Sequence, residues 1–301
     1  MPKPKIIVIL GPTATGKSDL AVFIAQKIGG EVISADSRQV YTGLDLGTGK
    51  ITKKEMQKIP HFLLDVANAK NRFTVAEFKE LADQKITEII SRNKVPIICG
   101  GTGFYIDSVI NNVTFPEVPP NEKLRASLNK KTASQLFEML KKLDKSRAKN
   151  IDAKNKVRLI RAIEIAKALG KVPKLADSKN KKDQKYEFIK IGLTMPNDVL
   201  KERIEKRLNN RIKAGMLREI RNLHKNGLSW KRMEELGLEY RYTALYLQKK
   251  LTKKEYLEKL NSEINKFAKR QMAWFKRDKE IIWFDPGKTD KKDIFQKVFK
   301  N

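Results

Sequence analysis

Residues 11–18 of the chain read Gly-Pro-Thr-Ala-Thr-Gly-Lys-Ser, which is the spacing of a phosphate-binding loop. The two glycines allow the backbone to turn its N–H groups toward one point, where the N-terminus of the following helix adds partial positive charge. Lys17 adds a full charge, and the Ser18 hydroxyl can bind Mg²⁺. We therefore expect a bound di- or triphosphate, although the motif does not identify what carries the phosphates. The expected contacts are Gly11, Thr13, Ala14, Thr15, Gly16, Lys17 and Ser18. The alternative is a glycine-rich turn without a ligand.

Asp36 is the first candidate for acid–base chemistry. It follows the apolar pair Val32-Ile33, which is typical of a buried strand. In an open α/β sheet the carboxyl ends of the strands face the ligand crevice, so Asp36 is expected beside the phosphate loop. A carboxylate in that position can accept a proton or hold a metal ion. The alternative is an Asx turn at the end of a strand.

A second glycine-rich segment, Gly100-Gly101-Thr102-Gly103, follows the apolar run that contains Cys99. Glycines at a sheet edge permit another backbone or a ligand to approach closely. Thr102 supplies the hydrogen-bonding side chain of this segment. The segment is therefore either part of the site or a plain turn.

Two basic segments in the second half of the chain have helical spacing. The first places Arg203, Arg207 and Arg211 on one helix face, either as a solvated stripe or as a guanidinium clamp on phosphate. The second, residues 267–277, interleaves aromatic side chains with cations. It is either a docked amphipathic helix or a helix that contacts the phosphates of an RNA.

The elements that position these residues alternate between strand and helix over 5–115, with strands expected at 5–10, 31–35, 61–65 and 95–99. This alternation predicts a parallel sheet with helices on both faces. Prolines at 116, 119 and 120 interrupt it, residues 121–170 have helical signals, and residues 171–185 form a basic loop. Strands return at 187–194 and 281–284, with helical stretches at 197–225 and 252–277. We expect an α/β core, residues 1–118 and 186–301, interrupted by a helical insert, residues 119–185.

Composition indicates a polyanionic partner larger than a nucleotide. Lysine and arginine number 64 against 35 acidic residues, a formal charge of +29. Nucleic acid fits this charge, and solvated surface lysine is the alternative. One cysteine excludes a disulfide within the chain, and with two histidines a four-ligand zinc site is not expected. No apolar run suits a membrane span, and Met1 leads almost directly into the first strand, so we expect a cytoplasmic protein without a signal peptide or membrane contact.

Taken together, the motifs resemble those of the tRNA dimethylallyltransferases, also called tRNA isopentenyltransferases. The matching segments, in order, are residues 11–18, 36–41, 100–105, 157–164 and 268–275. The resemblance extends from residue 5 to about residue 284. It implies a phosphate-loop fold with a helical insert that binds tRNA.

The resemblance also implies a reaction. The family transfers a five-carbon allyl group from dimethylallyl diphosphate to the exocyclic amine of an adenine beside the anticodon. By this likeness Asp36 is the general base, and Thr102, Arg207, the loop and Mg²⁺ on Ser18 surround the leaving diphosphate. The implied contacts with the tRNA anticodon stem-loop are Asp36, Ser37, Arg38, Gln39, Thr102, Arg125, Arg158 and Arg161. We expect a monomer.

The chain departs from the family pattern in three places. Pro60-His61 stands where two histidines are usual, Glu239-Tyr240-Arg241 replaces a stretch that usually begins with glycine, and residues 151–155 differ from the usual sequence. Two other functions remain open from the residues. The first is a nucleoside or small-molecule kinase that uses ATP. The second is an RNA-binding NTPase switch with Asp65 as its metal-binding aspartate.

Overall fold

The computed structural model describes residues 3–173 and 185–300. The chain divides into two compact units, which we call the core unit (Met1–Asn111 and Lys179–Asn301) and the insert unit (Asn112–Ser178). The sequence predicts an insert from 119 to 185. Most of the predicted basic loop, 171–185, lies outside the described residues.

The centre of the core unit is a parallel sheet. Its strands are β1 (Lys5–Leu10), β2 (Gly30–Ser34), β3 (His61–Phe62), β4 (Val95–Gly100), β5 (Glu187–Leu193) and β6 (Ile282–Phe284). They are arranged in the order β3-β2-β4-β1-β5-β6, and every described pair is parallel. The predicted parallel sheet is therefore confirmed. Leu10 pairs with Gly100 and Ser34 with Cys99, so the turns after β1, β2 and β4 leave the sheet at the same edge.

The helices, in chain order, are α1 (Lys17–Ile28), α2 (Lys53–Met56), α3 (Val75–Ser91), α4 (Gly103–Ile110), α5 (Glu122–Asn129), α6 (Ala133–Leu143), α7 (Lys145–Lys149), α8 (Lys156–Leu169), α9 (Asn197–Lys213), α10 (Met216–Lys225), α11 (Trp230–Leu236), α12 (Leu238–Leu247), α13 (Lys253–Phe275) and α14 (Lys291–Phe299). A capping box formed by Thr74 and Glu77 starts α3. The predicted stretch 197–225 is interrupted at Gly215, whose φ of +109° ends the helical path. None of the helices in the described ranges is long and apolar enough to cross a membrane.

Strand β3 is shorter than the predicted 61–65. Leu63 and Asp65 have positive φ values of 61° and 56°, so the chain leaves extended geometry after Phe62. Only the two residues of β3 pair with β2 at this edge of the sheet. Asp65, the candidate metal-binding aspartate, therefore lies beyond the end of the strand.

Apolar side chains of the sheet alternate between two layers. Ile6, Val8 and Leu10 point into a large cluster with residues of α3, α4 and α13, while Ile7 and Ile9 point into a smaller cluster with residues of α1 and α14. This alternation follows from the two-residue period of a strand. Because both faces of the sheet are covered, β1 is apolar along almost its whole length. The phosphate loop begins directly after its last residue, Leu10.

The insert unit has its own small apolar core. Leu128, Leu136, Leu140, Leu159 and Ile163, which come from α5, α6 and α8, are almost fully buried together. The described residues of this unit contain helices and no strand, as the sequence predicts. Leu159 and Ile163 lie one turn apart on α8 and form its inner stripe.

Candidate active site

The phosphate loop joins β1 to α1 through a turn that contains three residues with positive φ and an internal hydrogen bond. Gly11, Ala14 and Gly16 have positive φ values of 138°, 64° and 91°. A side chain at Gly11 would place its Cβ 2.3 Å from the Leu193 carbonyl oxygen, so this position requires glycine. Thr15 is fully buried, and its hydroxyl donates to the Pro12 carbonyl at 2.9 Å. These contacts fix the shape of the loop.

Two cations at the loop have neutral partners. Lys17 Nζ donates to the Pro12 carbonyl at 2.6 Å, and Arg207 donates to Thr13 Oγ1 at 3.1 Å and to the Gly49 carbonyl at 3.0 Å. Burial lowers the pKa of Lys17 to about 8, and burial together with the neighbouring Arg211 charge lowers the pKa of Arg207. Within the described residues neither side chain forms an ion pair with a carboxylate. Cations whose hydrogen-bond partners are neutral retain positive charge that can attract an anion.

The arginine stripe of α9 faces this loop. Arg203 donates from Nε to the Ala14 carbonyl at 3.0 Å, and Arg211 donates to the Gly47 carbonyl and to Glu239 Oε1, both at 2.9 Å. Of the two interpretations of the stripe, the solvated face is therefore wrong for Arg207 and Arg211. Arg203 remains exposed although its Nε is bonded. Arg203 and Arg207 therefore contact the phosphate loop, whereas Arg211 is held by Gly47 and Glu239 beside it.

Asp36 lies in the turn after β2, and its two carboxylate oxygens differ. Oδ1 accepts hydrogen bonds from the Arg38 N–H at 2.9 Å and the Gln39 N–H at 3.4 Å. The Asx turn weighed from the sequence is therefore present. Oδ2 makes no hydrogen bond to any described residue, so the turn leaves it available for a proton. The two interpretations of Asp36 are compatible.

Thr102 connects this turn to the second glycine-rich segment. Its hydroxyl oxygen accepts the Ser37 N–H at 3.0 Å and lies 3.3 Å from Ser37 Oγ, while its own N–H donates to the Ala35 carbonyl at 3.1 Å. Gly100 is packed so closely that an added Cβ would lie 2.2 Å from the Ala35 carbonyl oxygen. The turns after β2 and β4 are therefore joined by hydrogen bonds and close backbone packing.

Lys17, Asp36, Thr102 and Arg207 line one cleft of about 900 Å³. The phosphate loop and the arginines of α9 form one part of its wall, and the Asp36–Gln39 turn forms another. Cys99 contributes to the lining, and burial raises the pKa of its thiol to about 12, which keeps it neutral. The residues predicted as phosphate loop, base and guanidinium clamp therefore line the same cleft.

Asp65, the candidate for an NTPase switch, is not part of this cleft. Its carboxylate forms an ion pair with Lys50 at 2.6 Å, and it borders a separate surface hollow with Thr42 and Asn68. The shortened strand β3 explains this placement. The neighbouring His61 does line the cleft. Its Nδ1 is 2.9 Å from the Ile59 carbonyl, and its Nε2 is buried without a partner in the described structure.

Two of the three arginines predicted to contact RNA in the insert unit are bound to Glu164. Arg125 forms a bidentate pair with this buried carboxylate at 2.9 and 2.8 Å, and Arg161 also donates to it. Burial alone would raise the pKa of Glu164, but the hydrogen bonds from Arg125, the Asn121 N–H and Arg161 outweigh it and lower the pKa. Arg158 is exposed. A phosphate would therefore meet Arg158 directly, but would compete with Glu164 for the other two.

Several residues that shape the cleft carried no chemical signal in the sequence. Glu219 accepts the backbone N–H groups of Leu46 at 2.6 Å and Gly47 at 3.1 Å, and thereby holds the segment that presents the Gly49 carbonyl to Arg207. Gln271 of α13 is buried and bonded to the phosphate loop. Only the helical spacing of residues 267–277 pointed to it. Of the two interpretations of that segment, the docked amphipathic helix agrees with the burial of Gln271, which is 6% exposed.

Comparison with known proteins gives one consistent family. The model of the IPP transferase family matches residues 39–278. A tRNA dimethylallyltransferase from Treponema denticola is 45% identical over 276 residues, which cover 91% of this chain and 92% of that protein. Another, from Anoxybacillus flavithermus, is 39% identical over 93% of this chain and 90% of that protein.

Solved structures agree with these relatives. A tRNA isopentenylpyrophosphate transferase from Staphylococcus epidermidis has a TM-score of 0.73 and 33% identity, over 99% of this chain and 98% of its own. A eukaryotic dimethylallyltransferase acting on tRNA has a TM-score of 0.78 and 25% identity, over 99% of this chain and 77% of its own. The similarity therefore covers the fold as well as the motifs.

Proposed function

The chain belongs to the IPP transferase family, and we propose that it transfers the dimethylallyl group of dimethylallyl diphosphate to the exocyclic amine of the adenosine beside the anticodon of tRNA. In this reaction the bond between the allylic carbon and the diphosphate oxygen breaks, and a carbon–nitrogen bond to adenine forms. The amine loses a proton, and the diphosphate leaves with the electron pair. The single observation that carries the proposal is the shared cleft of Lys17, Arg207 and Asp36.

The loop side of the cleft suits the diphosphate. Lys17 and Arg207 are cations with neutral acceptors as partners, so a diphosphate would supply the missing negative charge. The charge on the leaving group grows as the carbon–oxygen bond lengthens. Positioned cations and N–H groups stabilise such developing charge without reorganising, and each such donor is worth about 3 kcal/mol in comparable sites. This is how the loop lowers the barrier to transfer.

The opposite part of the cleft suits the acceptor. The adenine amine is a weak nucleophile because its lone pair is delocalised into the ring, so a base is needed as the new bond forms. Asp36 Oδ2 is the proposed proton acceptor, since Oδ1 is engaged by the Arg38 and Gln39 N–H groups. Thr102 holds the turn that carries Asp36. An adenine in a stem-loop must leave its stack to reach this carboxylate.

We also propose that Mg²⁺ accompanies the diphosphate. Within the described ranges no group of three histidine, cysteine or acidic residues could hold a metal ion. Mg²⁺, however, is usually held by one or two protein oxygens, phosphates and water. The exposed Ser18 hydroxyl, which lines the cleft beside Lys17, fits this arrangement. Bound there, the ion would supply further positive charge for the leaving diphosphate.

The tRNA partner is supported by charge and by the insert unit. The formal charge of +29 suits the phosphates of an RNA stem, whose attraction is largely independent of sequence. Arg158 is exposed on α8, while Arg125 and Arg161 are held by Glu164 and would contact RNA only from those positions. We propose that the protein acts as a cytoplasmic monomer.

A direct assay separates this function from a kinase. The protein is incubated with dimethylallyl diphosphate, Mg²⁺ and tRNA that lacks the modification, and the digested nucleosides are analysed by mass spectrometry. We expect one prenylated adenosine per tRNA and release of diphosphate. A kinase would instead consume ATP and leave the adenosine unchanged, and that result would refute the proposal.

A further inference from the structure

Gln271 joins the two halves of the cleft. Its Oε1 accepts the Thr13 N–H of the phosphate loop at 2.9 Å, and its Nε2 donates to the Gly101 carbonyl at 2.9 Å. Both ends of one buried amide are thus used, although the two bonds bridge 258 and 170 residues of sequence. A glutamine held at both ends fixes the separation of the groups that it connects.

The bridge continues to the candidate base through covalent and hydrogen bonds. Gly101 precedes Thr102, whose hydroxyl oxygen accepts the Ser37 N–H, and Ser37 follows Asp36. At the other end, the Thr13 hydroxyl accepts a hydrogen bond from Arg207. One connected path therefore runs from the diphosphate side of the cleft to Asp36, with the Gln271 amide in the middle.

The packing around the amide leaves little freedom. A Cβ at Gly101 would lie 2.2 Å from Gln271 Nε2, and one at Gly103 would lie 2.3 Å from the Trp274 ring. Farther along α13, Trp274 Nε1 donates to Asp107 at 2.8 Å. Ala268 and Phe275, which precede and follow Gln271 on α13, are buried in the core, so the helix is packed in place on both sides of this side chain. The absence of a side chain at Gly101 leaves the space that the Gln271 amide occupies.

We propose that Gln271 is a positioning residue that sets the distance between the diphosphate loop and the turn bearing Asp36. This inference rests on the proposed function and deepens it. Its effect is expected on the transfer step rather than on donor binding, because Lys17, Arg207 and the remaining loop N–H groups still hold the diphosphate. A misplacement of about 1 Å is enough to slow an oriented reaction roughly 100-fold.

The first test compares Gln271→Met with Tyr256→Phe. Methionine has nearly the volume of glutamine but replaces neither hydrogen bond, while Tyr256→Phe removes one buried hydrogen bond of the same helix, to Thr243, away from the cleft. For Gln271→Met we expect single-turnover transfer to fall by roughly 10- to 100-fold, with donor affinity within about threefold of the unsubstituted protein. Tyr256→Phe should keep the transfer rate. Equal losses of affinity and rate in Gln271→Met, or a rate within twofold of normal, would overturn the proposal.

The second test uses Gln271→Glu. Its ionised carboxylate can accept from the Thr13 N–H, but it cannot donate to the Gly101 carbonyl and it also repels the diphosphate. We expect the transfer rate of Gln271→Glu to fall at least as far as that of Gln271→Met. A rate within twofold of the unsubstituted protein would contradict the bridging role.

Failure of this inference is distinguishable from failure of the proposed function. If the unsubstituted protein binds dimethylallyl diphosphate but never prenylates tRNA, the function itself is wrong. If it prenylates tRNA and Gln271→Met does so equally well, only the positioning role is wrong. Thermal unfolding of each variant identifies any loss that comes from misfolding.

Discussion

Arg207 donates a hydrogen bond to Thr13 Oγ1 at 3.1 Å, and this contact ties α9 to the phosphate loop across 194 residues of sequence. Its other bond goes to the Gly49 carbonyl, so both partners are uncharged. The guanidinium group therefore holds the loop in place and still has positive charge to offer a diphosphate.

Arg207→Met should reduce kcat by about 10²- to 10³-fold, because one preorganised donor to the leaving group is lost. Lys201, exposed on the same helix, gives a control for the loss of one positive charge. Lys201→Met should keep kcat close to normal. Steady-state rates at saturating tRNA and donor provide the measurement. Similar rates for the two variants would remove Arg207 from the mechanism.

Asp36→Asn should abolish transfer, with a loss of at least about 10²-fold, while tRNA affinity changes little. Asparagine can still accept the Arg38 and Gln39 N–H groups through its side-chain oxygen, so the turn is retained. The amide cannot take a proton. Single-turnover assays and tRNA binding are measured together. Near-normal turnover by Asp36→Asn would mean that another group is the base.

Donor affinity should weaken as the pH rises through about 8. The pKa of Lys17 is lowered to about 8 by burial, so the side chain is charged below this pH and neutral above it. Only the charged form attracts a diphosphate. If that form alone binds, affinity falls about tenfold between pH 7 and pH 9.

Calorimetric titration with dimethylallyl diphosphate across this range provides the measurement. Binding at pH 8 to 9 should also take up protons, which buffers of different ionisation enthalpy will reveal. Lys17→Met should bind more weakly at every pH and lose this slope. A slope that persists in Lys17→Met belongs to another group.

The insert unit should lose stability in acid through Glu164. The folded-state pKa of this carboxyl is lowered, so its contribution is fully present above the unfolded pKa of about 4.5 and is lost as the pH falls through the folded value. Glu164→Gln should remove that dependence and, at pH 7, reduce local stability by about 1–3 kcal/mol, because Arg125 and Arg161 lose their shared counter-charge.

Hydrogen exchange of peptides from residues 112–173 measures this local stability in the full chain. Glu138→Gln, at an exposed position of α6, is the matched control and should change little. If Glu164→Gln exchanged like the unsubstituted protein at pH 7, the buried pair would have no net effect on stability.

The amino-acid sequence by itself determined the phosphate loop, the parallel sheet and the helical insert. These follow from short-range rules: glycine at positions of positive φ, apolar runs in strands covered on both faces, and helical periodicity between caps. Tertiary structure alone decided between the alternatives that the sequence left open. Arg207 faces the loop instead of solvent, Asp65 pairs with Lys50 outside the cleft, and Gln271 reaches Thr13. Such contacts join residues far apart in the chain, and their geometry depends on how whole helices pack against the sheet edge rather than on any local pattern.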